Sequence, residues 1–368
     1  TGVVGTQTDL NINRKWGKSF ISGQDAYIDG HGHGTHVSGT IGALANGVGV
    51  IGVAPGAEII PIKVLSDGGS GSWSGVIEGI DYCVKVIEDN KLDKSKCVLN
   101  MSLGGGYNAA VDAAVKRAAD KGILFSIAAG NSGRDADSYS PAAAGDHKNV
   151  YTISAVDNTY QMSSWSNWDD TSGGDDVDLA APGVNVLSYT KTGSIDGWSG
   201  TSMATPIVAS CIGLLQAFRP EWTSEQLGKM IIETANPIIY NVNSETYLEG
   251  TLGSGRVDVL QALVTELYPK LELMGYDLEI INNNDGTISP GDELHLFLVI
   301  YNEDGWGNAN NISVNMNSLS NNVNIINGMS NFPNIDSDEA AINESLPFIL
   351  NLNSEFEQDS LTLNFKRK

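Results

Sequence analysis

Cysteine is scarce in this chain. Three residues in 368, Cys83, Cys97 and Cys211, cannot build a disulfide framework, and none has the short paired spacing of a zinc site. One bridge at most could form, between Cys83 late in a predicted helix and Cys97 at the start of the next strand. Cys211 lies in an apolar helical run and reads as a small core residue. Positive charge is scarce too, with 21 Lys and Arg against 44 Asp and Glu, a formal charge of 21 − 44 = −23. That excludes nucleic acid as a default partner, because phosphate backbones are bound by clustered Lys and Arg. No uninterrupted apolar run approaches the roughly 18 to 20 residues of a membrane-crossing helix, and the first residues lack the basic and apolar regions of an export signal. What is present is a 41% hydrophobic content, enough for a sizeable core, and a length that fits two domains.

Between residues 57 and 265 short apolar runs alternate with helical periods. The spacing predicts strands over 58–65 (EIIPIKVL), 97–103 (CVLNMSL), 123–129, 150–156 and 184–189, with helices over 73–88, 109–121, 201–218 and 224–234. Strands alternating with helices of this length imply βαβ units and a mostly parallel sheet covered on both faces. Ligands of such sheets bind outside the carboxyl ends of the strands. Composition changes after about residue 265. Residues 270–368 hold 19 Asn and a net charge of 4 − 15 = −11, against 17 − 29 = −12 for all that precedes. Alternating segments there, 293–301 (ELHLFLVIY) and 312–316, separated by Asn, Gly and Pro turns, predict a small antiparallel β-sandwich. The expected organisation is a three-layer αβα domain over 1–265 and an Asn-rich sandwich over 270–368.

Three glycine-rich segments follow predicted strands or open helices, and each carries a reactive or polar group: GHGHGTHVSGT at 30–40, AAGNSG at 128–133 and GTSMATP at 200–206. A serine hydroxyl is a weak nucleophile at neutral pH; it needs an adjacent base and donors aimed at the developing oxyanion. Ser202, at the start of an apolar helix, suits the nucleophile, His33 the base and the Asn131 side chain the oxyanion donor. The spacing of His31, His33 and His36 also suits zinc on its own, but no acidic helix follows.

HGTHVSGT at 33–40, SLGG at 102–105, AAGNSG at 128–133 and GTSMATP at 200–206, in this order, resemble the motifs of the subtilisin-like (subtilase) serine peptidases. The resemblance covers about residues 1–265 and implies the subtilisin-like fold and a secreted endopeptidase working through an acyl-enzyme. His33 is then the general base, Ser202 the nucleophile and Asn131 the oxyanion donor. The family's third triad member, an aspartate followed by Thr-Gly or Ser-Gly, is expected immediately before Thr1. A propeptide, the first strands and an export signal are expected in a longer precursor, and the numbered chain alone is expected to turn over poorly. The resemblance further implies a structural calcium ion held by the side chains of Asp9 and Asn46 and the carbonyls of Leu44, Val48 and Val50. Peptide substrates would add to strand edges at Gly69-Ser70-Gly71 and Ser102-Leu103-Gly104. Ala129 and Gly130 would wall the primary pocket, and Trp73 would shape a more distant apolar subsite or pack as a helix-start aromatic. No organic cofactor, nucleic acid or membrane span is expected; the protein is expected to be monomeric and extracellular. The alternative is a non-catalytic peptide-binding relative that lost the triad aspartate.

Overall fold

Several helix starts coincide with side chains that cap them in the computed structural model, which describes residues 1–169, 176–244, 250–283, 286–318, 322–354 and 363–365. The chain divides into two units, Thr1–Thr265 and Glu266–Lys368. The first runs β1 (Lys18–Ser19), α1 (His33–Gly42), β2 (Ile62–Lys63), α2 (Trp73–Asp89), β3 (Val98–Met101), β4 (Gly105–Gly106), α3 (Ala109–Ala119), β5 (Leu124–Ala128), β6 (Tyr139–Ser140), β7 (Val150–Val156), β8 (Leu179–Pro182), β9 (Val186–Tyr189), β10 (Ile195–Trp198), α4 (Thr201–Phe218), α5 (Ser224–Glu233), α6 (Ile239–Val242) and α7 (Val259–Val264). Ser72 caps α2 by accepting from Gly75 N at 3.1 Å, and Asn108 caps α3 from Ala110 and Val111. Thr223 and Gln226 form a reciprocal capping box at α5.

Strands β3, β5, β7 and β8 form one parallel sheet in that spatial order. Every residue of β5 and β7 is buried, as expected when helices cover both faces. Val76, Ile80, Val84 and Ile87 of α2 recur at helical spacing and pack with α3 against Phe125 and Ile127 of β5. Each fully buried side chain of this kind contributes roughly 1.5–3 kcal/mol relative to leaving it exposed. The other face is covered by α4, which is apolar and long enough to cross a membrane by composition but is 67% buried inside the unit. The expected αβα arrangement is therefore present, and all three cysteines are free.

Two expected strands differ. Of 58–65, Ile62–Lys63 pairs with β1 and Ile59 makes a single parallel bridge to Ile12, so no continuous strand forms. The opposite edge of Ile62–Lys63 faces a cavity of about 820 Å³ that separates it from β3, lined by Thr1, His33, Ile62, Val64, Leu99 and Met101 among others. Without a neighbour on that edge, the ladder cannot extend. The segment 184–189 becomes β9, which pairs antiparallel with β10 as a hairpin outside the central sheet.

The second unit comprises β11 (Leu271–Ile280), β12 (Glu293–Asn302), β13 (Ser313–Ser318), β14 (Val323–Asn327), β15 (Met329–Asn331), β16 (Glu339–Ile342), β17 (Phe348–Leu352) and β18 (Leu363–Phe365). They form antiparallel sheets in the orders β11-β12-β17-β14, with β16 on β12, and β15-β13-β18. Alternate residues of β12 point inward, so Leu294, Leu296, Leu298 and Ile300 meet Phe348, Leu350 and Leu352 in one core.

Candidate active site

Ser202 is presented by the first turn of α4. The helix contains Pro206, which has no N–H to offer the Ser202 carbonyl four residues back. That carbonyl instead accepts the Ser102 hydroxyl at 2.9 Å, and Ser202 Oγ donates in return to the Ser102 carbonyl at 3.4 Å. The end of β3 and the start of α4 are thereby clasped across a separation of 100 residues. Among the hydrogen bonds of the described residues, Ser202 Oγ reaches Ser102 and not an imidazole.

Asn131 lies just beyond β5. Its Oδ1 accepts from Thr201 N at 2.9 Å and Thr201 Oγ1 at 3.0 Å, which fixes the amide and leaves Nδ2 as a donor. A Cβ placed on Gly200 would lie 3.5 Å from Asn131 Nδ2 and 3.7 Å from Ser202 N. Two donor nitrogens thus lie near one point beside the serine, where an oxyanion would need them. The turn is held from behind by Asn167, fully buried, whose Nδ2 donates to the Ala129 carbonyl at 2.8 Å. Asn167 Oδ1 accepts from Ser132 N at 2.9 Å and Arg134 N at 3.3 Å. Gly130 has φ +110, and a Cβ there would come within 2.4 Å of Asn167 Nδ2, so glycine is required on both counts.

His33 opens α1. Asp29, buried, accepts from Gly32 N, Thr35 N and Thr35 Oγ1, each at 2.8 Å, so it ties down the helix start that carries His33. Burial pushes the Asp29 carboxyl up, but these donors outweigh it and hold it below its ordinary value. Burial pushes the His33 imidazolium down to about 4; His31 acts in the same direction and Asp29 opposes. The ring is therefore neutral at pH 7, as a general base must be. Trp198, at the end of β10, stacks on His36 at 4.8 Å between centroids and faces His33 at 6.5 Å with 29° between planes. It sits four residues before Ser202, on the hairpin that feeds α4. The spacing of apolar residues says nothing about Trp198 or Asn167; the available signals were an aromatic just before GTSMATP and a lone amide within the Ser/Trp segment 163–168.

The expected subsite residues fall in two groups. Ser102, Leu103 and Gly104 follow β3 directly, and Ala129 and Gly130 follow β5; Ser102 meets Ser202, and Gly130 N donates to Thr201 Oγ1 at 3.2 Å. Gly69-Ser70-Gly71 forms a tight turn, with Ser66 N donating to the Ser70 carbonyl at 2.8 Å and Gly69 N to the Ser66 carbonyl at 2.9 Å. Trp73 packs on the hydrophobic core and over Gly105, where a Cβ would lie 2.8 Å from the indole.

The expected calcium residues Asp9 and Asn46 meet, with Asn46 Nδ2 donating to Asp9 Oδ1 at 2.6 Å. Gly47 and Gly49, with φ +80 and +66, turn the loop around them. Among the described residues the carbonyls of Leu44, Val48 and Val50 accept no hydrogen bond. Asn46 Oδ1 accepts from Val48 N at 3.0 Å, which holds the loop, and the buried Asp9 carboxylate with the three unclaimed carbonyls and that amide oxygen is an all-oxygen set that fits a hard dication once the Asn46 amide turns.

A model of the subtilase family matches residues 1–262. The thermostable alkaline protease of Halalkalibacterium halodurans is 38% identical over 257 residues, covering 70% of this chain and 65% of its own. Subtilisin E of Bacillus subtilis is 36% identical over 254 residues, covering 68% and 62%. The crystal structure of a cold adapted subtilisin-like serine proteinase is similar with a TM-score of 0.57 at 35% identity, over 70% of this chain and 84% of that one. The chain spans less than two thirds of the length of either sequence relative.

Proposed function

The chain belongs to the subtilase family, and on that premise we propose that it is a secreted serine endopeptidase cleaving proteins through an acyl-enzyme. The neutral imidazole of His33 takes the proton from Ser202 Oγ as the oxygen attacks the peptide carbonyl. Asn131 Nδ2 and Ser202 N–H receive the oxyanion, and water then releases the acyl group with His33 again as base. The observation that carries this reading is that Asn131 Nδ2 and Ser202 N lie 3.5 Å and 3.7 Å from one point beside Gly200, which supports a pair of donors for an oxyanion. The substrate would lie along Gly69-Ser70-Gly71 and Ser102-Leu103-Gly104, with Ala129 and Gly130 as pocket wall and Trp73 bordering a farther subsite.

A base of this kind needs a carboxylate to orient it, and serine peptidases deprived of theirs lose on the order of 10⁴ in turnover. The reading assigns that role to an aspartate immediately before Thr1. Its support is the cavity between β2 and β3: one more parallel strand laid there would hydrogen-bond to both edges, join the two sheets and end beside His33. Calcium at Asp9, Asn46, Leu44, Val48 and Val50 would be structural, and a propeptide would assist folding of the precursor. One sequence relative is named an alkaline protease and the similar solved structure a serine proteinase, which favours an enzyme over a peptide-binding relative.

The test is labelling by a fluorophosphonate probe of active-site serine. Ser202→Ala should abolish it and His33→Ala should slow it strongly. Undiminished labelling in both would defeat the assignment.

A further inference from the structure

The calcium loop is gripped by a side chain from a distant strand. Tyr189, the last residue of β9, is 5% exposed, and its hydroxyl donates to Asp9 Oδ2 in a short hydrogen bond across 180 residues. The phenol also lies against the loop backbone: a Cβ on Gly49 would meet Tyr189 Oη at 1.8 Å, so position 49 has no room for a side chain. Asp9 is itself 5% exposed, and none of the ion pairs among the described residues includes it. Its two oxygens are met by neutral donors, Asn46 Nδ2 and the Tyr189 hydroxyl. Burying a carboxylate with no counter-charge is costly, and neutral hydrogen bonds offset only part of that cost.

We propose that Tyr189 is a resident competitor for the cation of this loop: its hydroxyl proton holds the Asp9 oxygen that calcium would take, so the tyrosine sets the affinity of the site. The inference rests on the calcium reading above and adds a residue outside the ligand set. Calcium gathers six to eight oxygens, and to use Asp9 Oδ2 it must first turn the phenol O–H away. The exchange breaks one hydrogen bond and makes one metal–oxygen contact, and the phenol stays protonated. The ring has a second anchor independent of the ion, because it packs with Val3, Leu10, Ala43 and Ile59. Phenylalanine would keep that packing and remove the proton that competes, together with the phenol oxygen that takes a backbone hydrogen bond from Val50.

The experiment is calorimetric titration of the full chain with calcium chloride, comparing the parent with Tyr189→Phe, alongside melting in excess chelator. The variant should bind calcium about tenfold more tightly, the worth of one hydrogen bond to a charged group, and should melt below the parent in chelator. Equal affinities, or weaker binding by Tyr189→Phe, would overturn the competitor role while leaving the calcium site standing. No calcium binding by either protein would overturn the calcium reading and the competitor with it.

Discussion

Replacing Asn167 by alanine tests whether the oxyanion turn is held from the inside. The buried amide serves three backbone groups: the Ala129 carbonyl at 2.8 Å, Ser132 N at 2.9 Å and Arg134 N at 3.3 Å. The carbonyl bond is fully buried, and losing its partner leaves an unsatisfied acceptor at about 2 kcal/mol. The two N–H bonds are part-buried, so water can replace some of what is lost and about 1 kcal/mol each is the fair figure. Together this is about 4 kcal/mol, and at roughly 2–4 °C per kcal/mol for a domain of this size the melting temperature should fall by about 10 °C. The same loss frees the turn bearing Asn131, so the rate of fluorophosphonate labelling should fall in samples held well below the transition. Asn167→Asp separates the contributions, because it keeps the acceptor for Ser132 and Arg134 and loses the donor to Ala129. Because it also buries a carboxylate against that carbonyl, it should melt no higher than Asn167→Ala while keeping more of the labelling rate. A melting temperature within a degree of the parent for Asn167→Ala would refute the reasoning.

Three further outcomes follow from the same geometry. Chelation should lower the melting temperature of the parent by several degrees, and Asp9→Ala should abolish that sensitivity, as read by circular dichroism. In the chain as numbered, without a carboxylate before Thr1, burial lowers the folded pKa of His33 from the usual 6.5 to about 4, so its contribution to stability is present above pH 6.5 and is lost as pH falls from 6.5 towards 4. His33→Gln should therefore flatten the stability profile in that window by about 2 kcal/mol after discounting for partial exposure, checked by urea denaturation at pH 4, 5.5 and 7. Thr223→Ala removes one half of the capping box on α5 and should cost about 1 kcal/mol without changing probe labelling below the transition.

Local chemistry explains which parts of this protein were legible in its sequence. Amphipathic spacing marked α2, α3 and α4, and continuous apolar runs marked β5 and β7, because both signals are written within a few residues. The glycine-rich segments around His33, Asn131 and Ser202 were legible because reactive groups at strand ends need backbone that approaches closely. Asn167, Trp198 and Tyr189 were not. Each acts on a partner 33 to 180 residues away, and an Asn, a Trp or a Tyr in an irregular segment has the same local signature whether it faces solvent or a buried carbonyl. The strand over 58–65 was overestimated for a related reason: its apolar residues are real, but pairing depends on what lies on the other side of the cavity.

The hairpin of β9 and β10 touches both ends of the chemistry. Tyr189 grips Asp9, Ser188 Oγ donates to the His36 carbonyl within α1 at 2.6 Å, and Trp198 covers the imidazoles. Its tip, Lys191 to Asp196, is exposed along its whole length. On the proposed function, that tip is a fuse: a single cut there by another copy would release the Asp9 loop and unroof His33 in one event. Loss of activity in concentrated solution would then track the first nick at this tip, well before the rest of the chain is digested.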